Sequence, residues 1–202
     1  MNKKVIDKDE VVDNIDNSIY DIKDNCKLVI NVDNSINSST FNLGNNSELI
    51  INKNYKLNEN EEEITINLNG VNSRVDYNFS TLVYDNQKYT INVNHNNIST
   101  ISNIINHGVV MNDSKLEFIV NSSVLKGNKK SVLNQESKII VLSKNNSIIK
   151  PNLFIDEYDV DARHAATIGR FSSEDIFYLM TKGINKEEAI KLLINGFLNI
   201  GR

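Results

Sequence analysis

Ile64-Thr65-Ile66-Asn67-Leu68 decides the fold class, because apolar and polar side chains alternate along it. A period of two is typical of a β-strand with one buried face. Similar stretches follow at Val75-Asp76-Tyr77-Asn78-Phe79 and Tyr89-Thr90-Ile91-Asn92-Val93, and an earlier one is Leu28-Val29-Ile30-Asn31-Val32. Further short apolar runs lie at residues 49–51, 116–120, 139–142 and 153–155. The sequence therefore predicts a mainly β protein with many short strands.

The composition supports a folded chain with a large core. Of the 202 residues, 40% are hydrophobic, and 35 are asparagines, nearly all of them before residue 153. Asparagine-rich sequence is often disordered, but here the asparagines alternate with β-branched residues, which favours folded β structure. The net charge of −4 argues against nucleic-acid or anionic-membrane binding. No apolar run approaches the ~18 residues of a membrane span or forms a signal peptide, so we expect a cytoplasmic protein.

Two architectures fit short strands separated by Asn, Ser, Asp and Gly clusters. One is an antiparallel sandwich, and the other is a β-solenoid whose coils add strands to parallel sheets. Two-residue hairpin turns would favour the sandwich, and Asn69-Gly70 is not obviously placed between paired strands. Asparagine tolerates the left-handed backbone at solenoid corners. The pattern therefore favours the solenoid, although the sequence has no strict repeat length.

The pattern becomes helical towards the carboxy terminus. Ser172 is followed three residues later by Asp175, a near capping box, and Gly183 is placed to end the first helix. Asn185 begins a second helix that is apolar around much of its circumference. We expect this helix to cap the open end of the β body, and the pair to present a surface to a partner. The predicted division is a β body at residues 1–158 and a two-helix segment at 159–202.

Unusual residues are concentrated between these parts. Asp159, Asp161 and His164 are of the types that ligate metals, although their spacing matches no established metal motif. His164 with Asp161 also has the composition of a general base and its orienting group. Since no activated Ser or Cys nucleophile is evident nearby, a histidine held by local hydrogen bonds is the commoner alternative.

The carboxy-terminal part of the chain resembles a known family. Asp161-Ala162-Arg163-His164-Ala165-Ala166-Thr167-Ile168-Gly169-Arg170, then Asp175-Ile176-Phe177-Tyr178-Leu179-Met180-Thr181-Lys182-Gly183-Ile184, looks like the carboxy-terminal signature of the SufB/SufD proteins. Ile149-Lys150-Pro151-Asn152-Leu153-Phe154-Ile155 fits the family's Lys-Pro-x-Leu-x-Ile segment. The resemblance covers about the last hundred residues, and the first hundred share only β character and polar turns.

The resemblance implies both a fold and a function. The family fold is a right-handed parallel β-helix with flanking helices, and its members pair as SufB–SufD or as homodimers. Their carboxy-terminal helices dock the ABC ATPase SufC. The complex is a cytoplasmic scaffold on which iron–sulfur clusters are assembled. The resemblance therefore predicts a non-enzymatic scaffold subunit.

Site residues follow from the resemblance position by position. His164 falls on the histidine that SufD-type members offer to the nascent cluster. Ala165 replaces the glutamate that follows it in SufB-type members, and Asn145 falls on the cluster-building cysteine of SufB. The chain is thus more SufD-like, and it is short for the family. Its single cysteine, Cys26, lies outside the matched region, where we expect it to be a small buried hydrophobic residue.

These positions predict which cluster ligands and which docking contacts the chain supplies within a complex. Iron–sulfur clusters usually need four thiolates, so we expect no stable cluster on the lone chain and at most a transient one in the complex. For ATPase docking, the candidate contacts are Phe177, Tyr178 and Met180, although packing on the β-helix end is as probable for each singly. Two other classes stay open: a carbohydrate-active β-helix enzyme, which low aromatic content disfavours, and a structural β-solenoid without chemistry.

Overall fold

The computed structural model describes residues 2–33, 38–56, 60–144 and 146–200. Successive strands alternate between two seven-stranded sheets, so each strand pairs with the strand two places further along the chain. Sheet 1 holds the odd-numbered strands: β1 (Asn2–Ile6), β3 (Ser18–Ile22), β5 (Thr40–Leu43), β7 (Asn60–Leu68), β9 (Gln87–His95), β11 (Leu116–Val124) and β13 (Ile148–Ile155). Sheet 2 holds the even-numbered strands: β2 (Glu10–Val12), β4 (Lys27–Asp33), β6 (Glu48–Tyr55), β8 (Arg74–Val83), β10 (Ile101–Val110), β12 (Ser131–Val141) and β14 (Val160–Gly169). Helices α1 (Ser173–Thr181) and α2 (Lys186–Leu198) follow.

This architecture confirms the predicted parallel β-helix with two carboxy-terminal helices. The strand pairs in both sheets run parallel, which is incompatible with the antiparallel sandwich. The alternating stretches at residues 28–32, 64–68, 75–79 and 89–93 lie inside β4, β7, β8 and β9. Period-two alternation therefore identified strands correctly.

The core lies between the two sheets, where equivalent residues stack from coil to coil. Ile51 of β6 is in register with Tyr77 of β8, which is in register with Ile104 of β10, and all three are buried. Aromatic rings also pack together in the core, where the ring centroids of Phe79 and Tyr89 lie 4.5 Å apart in an edge-on arrangement. Because parallel in-register strands place the inward-facing side chains of neighbouring coils next to one another, each buried side chain packs on those above and below it.

One ion pair lies inside this core. Lys53 Nζ bonds to Glu62, whose other carboxylate oxygen accepts from the Tyr55 hydroxyl at 3.0 Å. Lys53 and Glu62 are each about 3% exposed. Burial lowers the pKa of Lys53, and the neighbouring carboxylate acts in the opposite direction. Paired charges of this kind satisfy one another where water is excluded.

The asparagines form hydrogen-bonded ladders on the outer faces. In sheet 1, the Asn67 amide donates to Asn42 at 2.8 Å and accepts from Asn94 at 2.9 Å. In sheet 2, Asn52 and Asn78 continue a similar ladder from Asn31. Each amide both donates and accepts along the stack, so in-register asparagine side chains satisfy one another as in cross-β ladders. The asparagine-rich composition is therefore structural.

The corners that lead from sheet 1 to sheet 2 use left-handed residues followed by a small buried side chain. Asn25, Asn46 and Asn72 have φ of 59°, 52° and 57°. The residue after each is Cys26, Ser47 or Ser73, and all three are buried. Both serine hydroxyls donate at 2.8 Å to a carbonyl three residues earlier, and the Cys26 thiol reaches the Asp24 carbonyl at 3.5 Å. Cys26 thus takes a turn position that hydroxyl residues hold in later coils, as the prediction of a small buried residue anticipated.

Helix α2 does not cap the end of the β body, so that expectation was wrong. It lies on the outer face of sheet 2, where Ile194 and Leu198 pack against Val109 of β10, with Leu82 and Ile140 beside it. The outward side chains at the ends of β8, β10 and β12 are apolar, and they form a seat for the helix. Ser172 caps α1 through the amide of Glu174 rather than of Asp175, and Gly183 follows the helix with φ of 84°.

The last strand extends the β body past the predicted boundary at residue 158. β14 pairs with β12 over ten residues, from Val160 opposite Ser131 to Gly169 opposite Ile140. Its sequence is rich in alanine and charged residues, so it lacked the alternation that marks a buried strand. A strand at the end of a stack has no coil above it and therefore needs no apolar face.

Candidate functional site

The carboxy-terminal end of the β-helix is open. Within the described residues, β13 and β14 each pair with one neighbour only, as the last strands of their sheets. Apolar side chains are exposed around this end: Phe154 is 60% exposed, Tyr158 is fully exposed and Ile168 is 46% exposed. Exposed apolar side chains next to unpaired backbone groups mark a surface suited to pairing.

The two edges differ in backbone chemistry. β13 contains Pro151, which has no N–H to donate. β14 contains no proline, so its free edge keeps every donor. The sheet 2 edge is therefore the better template for an added strand.

His164 lies on β14, at this open end. It is in register with Gln135 of β12, whose side chain points into the core and is 4% exposed. His164 therefore takes an inward-facing position, yet it is exposed because no further coil covers it. The Gln135 amide donates to Ser122 Oγ at 2.8 Å and to the Asn152 carbonyl at 3.3 Å. Among the described residues, Gln135 Oε1 has no hydrogen-bond partner, so a buried acceptor lies beside the histidine.

Asp161 is not the orienting group of His164. Its carboxylate forms a two-point ion pair with Arg163, at 2.9 and 3.1 Å. Strand alternation places Asp161 and Arg163 on the outer face and His164 on the inner face. The structure thus separates the members of the predicted acid–base pair. Across residues 2–33, 38–56, 60–144 and 146–200, no three His, Cys, Asp or Glu side chains are close enough to share a metal ion.

A groove of about 760 Å³ crosses the outer face of sheet 2. The carboxylates that line it, Asp76 and Glu136, both accept from neighbouring cations. Arg74 holds Asp76 at 2.7 Å, and Lys138 holds Glu136 at 2.7 Å. Lys138, followed by His107, lowers the pKa of Glu136. This groove is thus lined by ion-paired carboxylates and amide ladders.

The candidate docking residues are all on the surface of α1. Phe177, Tyr178 and Met180 are 68%, 60% and 43% exposed, and no residue of α1 is buried. The Lys182 ammonium lies 5.1 Å from the centre of the Tyr178 ring. Since α1 is carried by α2, its exposed face projects from the sheet 2 side of the β-helix.

Asn145 lies outside the described residues. His107 contacts α2 through the Phe197 carbonyl, 90 residues away in the chain. The sequence did not predict this contact, because a single histidine in a β-strand carries no signal of so distant a partner.

Comparison with known proteins decides the family. The family described as "SUF system FeS cluster assembly, SufBD core domain" matches residues 26–197. The chain belongs to the SufBD core family. It is 37% identical over 113 residues to the iron–sulfur cluster assembly protein SufD of Bacillus subtilis, covering 55% of this chain and 26% of that protein. It is 46% identical over 48 residues to SufD of Escherichia coli, covering 24% and 11%.

The matched SufBD region contains the features described above. It includes β14 with His164, the whole of α1 and nearly all of α2. An Archaeoglobus fulgidus SufBD family protein is 38% identical over 66 residues, covering 32% of this chain and 18% of that protein. The SufBD chain thus spans about a quarter or less of the length of these curated relatives. No helix in its described portion is long and apolar enough to cross a membrane.

Proposed function

We propose that this chain is a scaffold subunit of a SUF-type iron–sulfur cluster assembly complex in the cytoplasm. It pairs with a SufB- or SufD-like chain, or with its own copy, and docks a SufC-like ABC ATPase. The observation that carries the proposal is the open β14 edge with His164 on it, in a chain of the SufBD core family. Its role is to shape and hold the complex rather than to catalyse a reaction.

The pairing surface is the free edge of β14. Its unpaired N–H and C=O groups offer an added strand a full set of backbone hydrogen bonds. Phe154, Tyr158 and Ile168 surround this edge and would be covered by the second chain. Pro151 limits addition at the sheet 1 edge, so the partner is aligned mainly on sheet 2.

His164 is the group that the chain offers to the cluster, which is cargo rather than a resident cofactor. Its ring is exposed at the pairing edge, where a second chain brings its own side chains. One imidazole and no nearby thiol leave most of the ligands to be supplied by that partner. Cys26 is in the second coil, far along the stack from β14, and its thiol is committed to a corner.

Anaerobic reconstitution with iron and sulfide tests this division. The purified chain, alone and with a SufB-like partner, is assayed for iron and sulfide content and for visible absorption. We expect clusters only with the partner, and a lower yield for His164→Gln. Arg163→Gln is the matched control, since Arg163 is the exposed neighbour on the opposite face. A full cluster on the lone chain, or equal yields for both variants, would contradict the proposal.

The ATPase docks on the exposed face of α1. Tyr178→Asp places a charge in the centre of this face and is expected to weaken binding of a purified SufC-like ATPase at least tenfold. Tyr158→Asp changes a fully exposed tyrosine between β13 and β14, outside α1, and should bind the ATPase as the parent does. Circular dichroism checks that both variants fold. Unchanged binding by Tyr178→Asp, measured by titration calorimetry, would remove α1 as the docking site.

A further inference from the structure

His107 connects helix α2 to sheet 2. Its Nδ1 lies 2.8 Å from the backbone carbonyl of Phe197, near the end of α2. Its Nε2 lies 3.4 Å from Glu136 Oε1, on the neighbouring strand β12. The imidazole also stacks on the Phe197 ring, with centroids 4.5 Å apart and planes at 12°. One side chain therefore contacts both the sheet and the helix.

Both ring nitrogens face acceptors. A carbonyl oxygen and a carboxylate can only accept, whereas a neutral imidazole carries one N–H. In either neutral tautomer, one nitrogen therefore turns a lone pair towards an oxygen. An imidazolium has two N–H groups and donates to both oxygens at once. Its charge also lies near the carboxy-terminal end of α2, where the helix dipole favours a cation.

We propose that His107 is a proton-operated latch, which holds α2 on sheet 2 more tightly when the ring is protonated. The charged groups that face the ring come from β12: the Glu136 carboxylate lies 3.4 Å from Nε2, and Lys138, which is in register with His107, bonds the same carboxylate at 2.7 Å. From β8, the register neighbour is the uncharged Ser80. From α2, the facing group is the Phe197 carbonyl, and the last turn of the helix has no basic residue. Lys138 holds the pKa of Glu136 below its usual range, so this acceptor stays ionised in mildly acidic solution.

The latch adds to an apolar seat and does not replace it. Ile194 and Leu198 keep α2 associated with Val109 in both protonation states. Proton loss therefore loosens the carboxy-terminal part of α2 without releasing the β-helix. The consequence for ATPase docking rests on the proposed function, because α1 is carried by α2.

Amide hydrogen exchange of the full chain alone tests the latch at pH 5.5 and pH 8, on either side of the ordinary titration range of histidine. After correction for intrinsic exchange, protection at residues 190–198 should be on the order of tenfold higher at pH 5.5. Amides of β8 and β10 serve as an internal reference for the opening of the whole fold. Because the chain is measured alone, the result does not depend on whether it binds an ATPase.

Three variants separate the latch from other histidines. His107→Gln retains one donor but cannot titrate, so the pH effect on α2 should disappear. Glu136→Gln removes the ionised acceptor and should reduce it, whereas His164→Gln should leave it unchanged. The proposal is overturned if α2 protection in the parent is the same at both pH values, or if His107→Gln keeps the full effect. His107→Gln could leave α2 unprotected at both pH values. In that case the proposal is overturned if Glu136→Gln shows the same pH difference in α2 protection as the parent.

Discussion

Acidification should destabilise this β-helix through one buried histidine. His95 on β9 is fully buried, with Nδ1 2.7 Å from Thr100 Oγ1 and Nε2 2.9 Å from Ser102 Oγ. Burial lowers the pKa of His95 to about 4. In the unfolded chain a histidine titrates near pH 6.5. The perturbation that reveals this difference is a change of pH in the parent and in His95→Gln, which keeps a polar side chain that cannot titrate.

The sign and size follow from proton linkage. Between pH 6.5 and pH 4, the unfolded chain binds a proton at His95 that the folded chain excludes, so the free energy of unfolding falls as the pH falls. The interval between about 6.5 and about 4 corresponds to ~3.4 kcal/mol in total, and ~2 kcal/mol of it is lost by pH 5. At pH 8 the contribution of this group is fully present.

Urea unfolding at pH 8 and pH 5 measures the difference. The parent should lose ~2 kcal/mol more than His95→Gln between these two values. Carboxylates with a lowered pKa, such as Asp16 at about 2, lose their contribution at lower pH and are common to both proteins. His164→Gln, at an exposed position, should follow the parent. If the parent and His95→Gln lose the same free energy, burial of a neutral His95 is not the source of acid sensitivity.

Three further sets of substitutions test the stack itself by urea unfolding. Asn67→Ala removes two ladder hydrogen bonds and should lower the free energy of unfolding by about 1–2 kcal/mol, whereas a change near zero would show that water replaces them. Gly70→Ala places a methyl group against the backbone of the preceding coil and should lower the free energy of unfolding by several kcal/mol. Gly169→Ala, with open space around it, should not lower it, and similar values for the two variants would refute the steric argument. Lys53→Met and Glu62→Gln should each lower the free energy of unfolding by about 3–5 kcal/mol, because each leaves the other member of the buried pair without its charged partner. The double variant should recover part of this loss, and additive losses would show that the two residues are not coupled.

The sequence predicted the strands where two conditions held together. In Ile64-Thr65-Ile66-Asn67-Leu68, the inward side chains are apolar and the outward ones polar, so burial on one face is written directly into the pattern. The helix starts at Ser172 and Asn185 were also predictable, because capping depends on side chains within three residues. Local rules of this kind are sufficient when the contacts that satisfy a residue are close in sequence.

Features set by distant contacts could not be predicted in the same way. The seat of α2 on sheet 2 depends on outward apolar residues such as Val109, which alternation alone assigns to neither core nor surface. β14 has no buried face and so lacked a strand pattern. The proximity of His107 to Phe197 depends on both of these arrangements. His164 was singled out with Asp159 and Asp161 from the sequence itself, but its predicted role beside a cluster came only from the resemblance.

The direction of the amide ladders explains where the acidic residues lie among the asparagines. In each ladder the amide of one coil donates to the oxygen of the coil before it, so the residue that begins a ladder only has to accept along the stack. A carboxylate meets this requirement because it only accepts. Asp21, Glu63 and Asp76 stand at these starts, and they accept from the first asparagine above them at 2.8, 2.7 and 2.6 Å. Three ladders therefore begin with a carboxylate, whereas the sheet 2 ladder of Asn52 and Asn78 begins with Asn31, so an acid suits the start of a ladder but is not required there.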